Sequence, residues 1–262
     1  VCSVAFAGQR ARRGPQSQSR RHESVETLAG PRRSRARRPR DREHGNALPC
    51  GSVMRTAVVT VVHGRHGHPR QQIRGLRRSS ARPDAHVVVA LGDPHIGDIV
   101  RSTGSTAAVL DCPAGSRLPL GAARNRGAEA ALDDGAELLV FLDVDCIPSA
   151  GLLQRYHTVA NAADHRDALL CGPVTYLPPP GSCGYDLSAL DQWIDPHPAR
   201  PSPPDDTTVP ATDYSLFWSL SFAVTATTWT YLGGFCEDYI GYGGEDTDLS
   251  WTARDRGVGL TW

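Results

Sequence analysis

The sequence predicts an α/β protein built on one open, mostly parallel sheet with helices on both faces. Three observations carry this reading. From residue 55 onward, short β-branched runs alternate with helical stretches. The strand-like runs are apolar almost throughout, and acidic residues follow two of them directly. Strands covered on both faces read as continuous apolar runs, and strand–helix–strand order places successive strands parallel. Ligands of such sheets bind beyond the carboxyl ends of the strands. A site is therefore expected near Asp93, Asp143 and Asp145.

The elements follow in order. "TAVVTVV" (56–62) has the length and β-branching of a buried strand. "HPRQQIRGLRRSS" (68–80) sets Ile73, Leu76 and Arg77 at helical spacing, with Pro69 suited to a first turn. "AHVVVAL" (85–91) is a second strand and "GDPH" the turn after it. "STAAVLDC" (105–112) is a weaker third strand. The alanine-rich "LGAARNRGAEAALDDG" (120–135) is a helix stopped by Gly135, and "AELLVFLDVD" (136–145) is a fourth strand, central by its apolarity. Nine prolines between Leu177 and Pro210 mark a long loop with one short helical candidate, "DLSALDQWI". Loops this long are functional lids or disordered insertions. "DYSLFWSLSFAVTATTW" (213–229) returns to strand-like sequence, "DTDLSWTARDRG" reads as a helix stopped by Gly257, and "VGLTW" as a last strand.

The formal charge of zero hides a split. Residues 1–53 carry 12 Arg against 4 acids, whereas 54–262 carry 16 Arg against 24, and lysine is absent. Runs such as "PRRSRARRPRDREHG" show no apolar period, so 1–53 is read as a disordered or non-native extension and 54–262 as the domain. Met54, the only methionine, directly precedes the first strand-like run. A basic tail could hold nucleic acid or an anionic membrane, but upstream sequence is the simpler reading, and no nucleic-acid partner is expected. No secretory signal is evident, and no apolar run approaches the about 20 residues a bilayer requires. Seven cysteines with no CxxC pair indicate neither a disulfide framework nor a zinc knuckle. A reduced, cytoplasmic location follows, with room for peripheral contact at the inner face of the membrane.

Two acid clusters carry the chemistry. In "FLDVDC", Asp143 and Asp145 end the fourth strand, and two oxygen donors with positions left for phosphate and water suit Mg2+ or Mn2+. In "GYGGEDTDL", Glu245, Asp246 and Asp248 open a helix, where its positive end favours anions. Capping alone would explain one or two acids. It would not explain Gly243 and Gly244, which let backbone approach a ligand. A carboxylate held there can take a proton from a hydroxyl.

The series "VVTVVHG", "VVVALGD", "LGAARNRGAEAA", "FLDVDC" and "LGGFCEDYIGYGGEDTDL" resembles a family 2 inverting glycosyltransferase of the GT-A fold. The last segment is similar to the end motif of the galactosyltransferase and chondroitin-polymerase type, with Tyr242 in place of its tryptophan. The likeness spans about 55–262, divided into a nucleotide-binding half (54–145) and an acceptor half (146–262). It implies that Asp143 and Asp145 hold the metal and diphosphate, that Asp246 is the base, and that Glu245 positions the acceptor. It also implies that His63, Gly64, Asp93 and Arg124 lie along the nucleotide, and that Tyr242, Gly243, Gly244 and Asp248 meet the acceptor. Its members run past the strand matching "GVGLTW", and many add a histidine to the metal site, so the chain is expected to be truncated at its C-terminus. The partners implied are a nucleotide-sugar donor, UDP-linked, and a carbohydrate or other hydroxyl acceptor.

Trp218 in "FWSLSF" lines that pocket or packs in the core. The histidines of "HGRHGH" lack the companions of a zinc site, and Asp133 and Asp134 read as a solvated helix end. Two other functions remain open at this point: a sugar nucleotidyltransferase, for which "HGRHGHPR" is a poor phosphate loop, and a catalytically inactive nucleotide-sugar binder.

Overall fold

The computed structural model describes residues 4–6, 54–180 and 184–262. Cys2, Cys50, Cys183 and the Arg-rich residues 7–53 lie outside the described residues, and with them nearly all of the expected N-terminal extension. The exception is strand β1 (Val4–Phe6), which the sequence reading had left inside that extension. It pairs antiparallel with β6 (Cys146–Pro148) and parallel with β8 (Val174–Tyr176), so both of its edges are satisfied.

The main sheet has eight strands. Five are predicted ones: β2 (Thr56–Val62), β3 (Ala85–Leu91), β4 (Ala108–Cys112), β5 (Leu138–Leu142) and β11 (Gly259–Thr261). The others are β7 (Ala168–Cys171), β9 (Pro210–Ala211) and β10 (Ser221–Thr225). Their order is β4-β3-β2-β5-β10-β7-β11-β9. β10 runs antiparallel to both β5 and β7, and β9 antiparallel to β11; the remaining strands share one direction.

Side chains alternate across this sheet as its two-residue period demands. Val59, Val87, Val89, Leu139 and Phe141 face one core, covered by helices α3 (Leu120–Asp133), α5 (Ala226–Leu232) and α6 (Glu245–Asp255). There Phe141 stacks on Phe222 at 4.6 Å between ring centroids, with Trp229 at 4.8 Å. Val58, Val88, Leu138 and Val140 face the other side, under α1 (Gly67–Arg78), α2 (Ile96–Ser102) and α4 (Leu152–Asn161). Small residues bring α3 close: a Cβ at Gly127 would stand 2.5 Å from Val59 Cγ1.

Four parts of the sequence reading change. Helix α2 was not foreseen, because seven residues give only Ile96, Ile99 and Val100 as an apolar stripe. The segment 146–177, left without assignment, holds β6, α4, β7 and β8. The stretch 213–229 is not one strand: it is a 3-10 turn at Tyr214–Leu216, then β10, then α5, which begins where the Thr225 hydroxyl accepts from the Thr228 N–H. The helical candidate at 186–194 is a 3-10 turn, Leu190–Trp193.

Candidate active site

The carboxyl ends of β2, β3 and β5 gather the predicted residues. At β2 and β3, His63 bonds through Nδ1 to the Leu91 carbonyl at 2.7 Å. Gly64, at φ +57°, donates its N–H to Asp93 Oδ2 at 3.1 Å. Asp93 also accepts from His66 at 2.8 Å and from the His95 N–H at 3.0 Å. Burial alone would raise the Asp93 pKa, but these bonds outweigh it and hold the carboxyl below its ordinary range. The three residues expected at the nucleotide end thus form one knot.

Beyond β5 the chain turns through Asp143, whose N–H bonds to the Leu220 carbonyl at 2.9 Å. The turn is held from behind by Gln72 of α1, a residue the sequence reading passed over. Its amide donates to the carbonyls of Asp143 at 2.7 Å and Cys146 at 3.3 Å, and its Oε1 accepts from the Thr60 hydroxyl at 2.9 Å. A buried glutamine in an otherwise apolar stripe is the signal that could have found it. Asp145 is buried, and both burial and the charge of Asp143 raise its pKa, against the pull of Arg65, which bonds it.

Arg124 joins the two acid clusters. Its Nη2 donates to Asp143 Oδ1 at 3.0 Å and its Nη1 to Glu245 Oε1 at 3.1 Å. Expected along the nucleotide, it is 5% exposed, with its guanidinium between the carboxylates. The neighbouring Asn125, unusual within an alanine-rich helix, clamps the segment leading to the second cluster. It donates to the Phe235 carbonyl and accepts the Phe235 N–H, each at 2.9 Å.

The glycines before α6 have a local cause. Gly244 heads the helix at φ +98°, and a Cβ there would lie 2.7 Å from the Tyr239 ring. A local reason for glycine at 244 thus stands beside the expected approach of a ligand. Gly243, at φ +93°, has open space where a side chain would be. No acid caps the helix: Gly244 is the N-cap, leaving Glu245, Asp246 and Asp248 in the first turn for other work.

Their surroundings differ. Glu245 is buried and its Oε2 lacks a partner among the described residues. Asp246 accepts the Thr247 N–H at 2.8 Å, and the Ser219 backbone lies near enough to favour the carboxylate. Burial nevertheless raises its pKa, with help from Glu245. Asp248 accepts from the Tyr239 hydroxyl at 3.4 Å and so steadies the loop. Tyr242 projects from that loop, 97% exposed. Its phenol is raised, by neighbouring protein atoms first and then by the charges of Asp143, Asp246, Glu245 and Asp145. All four acids therefore lie near its phenol. Trp218 stands one residue before Ser219, half-buried beside His197.

The described residues contain no group of three ligating side chains. Asp143 and Asp145 alone still fit a hard divalent cation: two adjacent carboxylates, one buried and disfavoured as an anion, with the remaining positions left to phosphate oxygens and water. At present guanidinium groups answer both charges. No described helix is long and apolar enough to cross a membrane.

No family model and no curated protein matches the sequence. Solved structures match the fold. The mannosyltransferase PcManGT from Pyrobaculum calidifontis, in complex with GDP-Man and Mn2+, aligns with 80% of this chain at TM-score 0.53 and 16% identity. GalNAc-T7 with UDP, GalNAc and Mn2+ aligns with 80% at 0.54 and 16%. TarS residues 1–349 from S. aureus align with 79% at 0.52 and 14%. The chain spans 54%, 42% and 57% of these three chains. It has the fold of the GT-A glycosyltransferases.

Proposed function

We propose that this chain is a metal-dependent, inverting glycosyltransferase of the family 2 type. It would move a sugar from a nucleotide-sugar, UDP-linked, to an acceptor hydroxyl. The observation that carries the reading is the Arg124 bridge, which brings the acid at the end of β5 and the acids opening α6 to one cleft. Neighbours of the same fold solved with nucleotide-sugar and Mn2+ support it.

Asp143 and Asp145 would hold Mn2+ or Mg2+, which when bound neutralises the charge growing on a departing diphosphate. The knot of His63, Gly64 and Asp93 receives the nucleoside end. Glu245 Oε2, buried without a donor, is satisfied by a neighbouring, non-reacting hydroxyl of the acceptor, and Tyr242 offers its ring to the acceptor sugar. Asp246 takes the hydroxyl proton as the new bond forms at the anomeric carbon. The bond from that carbon to the diphosphate oxygen breaks on the opposite face, which inverts the centre.

The raised Asp246 pKa suits a base and sets the pH dependence. The base must be ionised, so turnover should fall as pH drops through a value above the ordinary carboxylate range. Asp246→Asn should lower transfer by roughly 10²–10⁴-fold and remove that acid limb, while UDP binding persists. Retention of wild-type turnover by the variant would refute the assignment.

A further inference from the structure

A second group of polar side chains lies along the same sheet edge, unused by the site above. Arg200, from the proline-rich segment before β9, is 5% exposed. Its guanidinium carbon stands 5.0 Å from the Trp218 ring centroid and 4.4 Å from that of Trp262. None of its three nitrogens meets an oxygen or nitrogen acceptor among the described residues; the Cys171 thiol, a weak acceptor, lies beside them, and the buried Nε1 of Trp262 has no partner.

This arrangement is incomplete by the ordinary rules of burial. A buried charge is normally paired, and a buried donor bonded. Cation–π contact offsets part of the cost, but it uses the face of the guanidinium and leaves the N–H fork in its plane. The groups whose fields reach Arg200 most strongly are Cys171, Tyr156, Cys146 and Tyr176, none of them a carboxylate. Burial pushes the Cys171 thiol up to about 12, so it offers no thiolate. Every unmet valence here belongs to a donor, and donors gathered around one cation want an oxyanion.

The cluster borders a pocket. Cys171 and Trp262, at the carboxyl ends of β7 and β11, line a small open pocket of about 60 Å³ between α4 and residues 202–208. Arg155 and Asp205 line it as well. Trp218 ties the cluster to the reaction site, because the backbone of the next residue, Ser219, lies beside Asp246.

We infer that Arg200 and Trp262 form an oxyanion receptor on the acceptor side of the cleft, so that the acceptor carries a carboxylate or a phosphate besides its reacting hydroxyl. The acceptor role rests on the glycosyltransferase reading; the anion site itself does not.

The test uses the whole chain, without nucleotide or divalent cation, at ionic strength held constant with chloride. Inorganic phosphate, sodium glucuronate and neutral glucose are titrated while tryptophan fluorescence and the thermal midpoint are followed. At least one anion should give a saturable change, and glucose none. Arg200→Met should weaken the response roughly tenfold or more. Trp262→Phe, which keeps a ring but loses the N–H, should weaken it less and serves if the first variant does not fold. A response to phosphate alone assigns a phosphate-bearing acceptor; to glucuronate alone, a carboxylate; to both, the shared oxyanion chemistry. Absence of a saturable response in the wild type, or an undiminished one in folded Arg200→Met, overturns the inference. UDP binding with Mn2+ is measured separately: its absence would remove the transferase reading and leave the anion site standing.

Discussion

At Arg124, one guanidinium answers two carboxylates that lie more than a hundred residues apart in the chain. Asp143 and Glu245 would otherwise face each other across a partly buried gap, and neither is free to turn away: one ends a fully buried strand, the other opens a helix. The gain from such a pair is set against desolvation, but removing one partner leaves uncompensated charge. Arg124→Met should therefore destabilise the fold by about 3–5 kcal/mol, measured by urea unfolding at neutral pH. A loss below about 1 kcal/mol would show that the bridge is incidental. The motif marks Arg124 out, yet nothing in "AARN" names the acids it bonds.

At the scale of elements, the site depends on a hydrogen-bonded chain that crosses three of them. His86 on β3 meets the Thr60 hydroxyl on β2 at 3.2 Å, Thr60 donates to Gln72 on α1, and Gln72 holds the carbonyls of the turn after β5. With the Thr60 proton given to Gln72, the His86 nitrogen is the donor. Burial lowers the His86 pKa from 6.5 to about 4, so the folded protein keeps this ring neutral. The unfolded chain takes up the proton first. Stability should thus be level above about pH 6.5, fall between there and about pH 4, and lose nothing further from this group below that. The loss is about 3 kcal/mol at most. Unfolding curves at pH 7 and pH 5 check it, and His86→Gln should flatten this part of the profile. Elements with long apolar runs were legible: β2, β3 and β5 and helix α3 stand within two or three residues of their predicted bounds. Elements of three to five residues after Cys146, β11 excepted, were not, since tertiary pairing rather than local pattern defines them. The acid clusters were legible as motifs. Arg65, Gln72, Asn125 and Ser219, which aim them, were not, because each acts across a distance in sequence that spacing does not encode.

For the molecule as a whole, two cores hold a sheet whose carboxyl edge carries three features in a row. The knot of His63, Gly64 and Asp93 lies at β2 and β3, the acids bridged by Arg124 follow at β5, and the Arg200 cluster stands by β7 and β11. On the proposed reading these receive nucleoside, diphosphate with sugar, and acceptor in turn. The middle feature is decisive, since without a cation-dependent diphosphate site the others have no reaction to serve. Isothermal titration of the full chain with UDP, with and without Mn2+, tests this directly. The account predicts binding that requires Mn2+ and is lost in Asp143→Asn with the fold intact. Binding of UDP that is indifferent to both the cation and Asp143, or none under either condition, would contradict it.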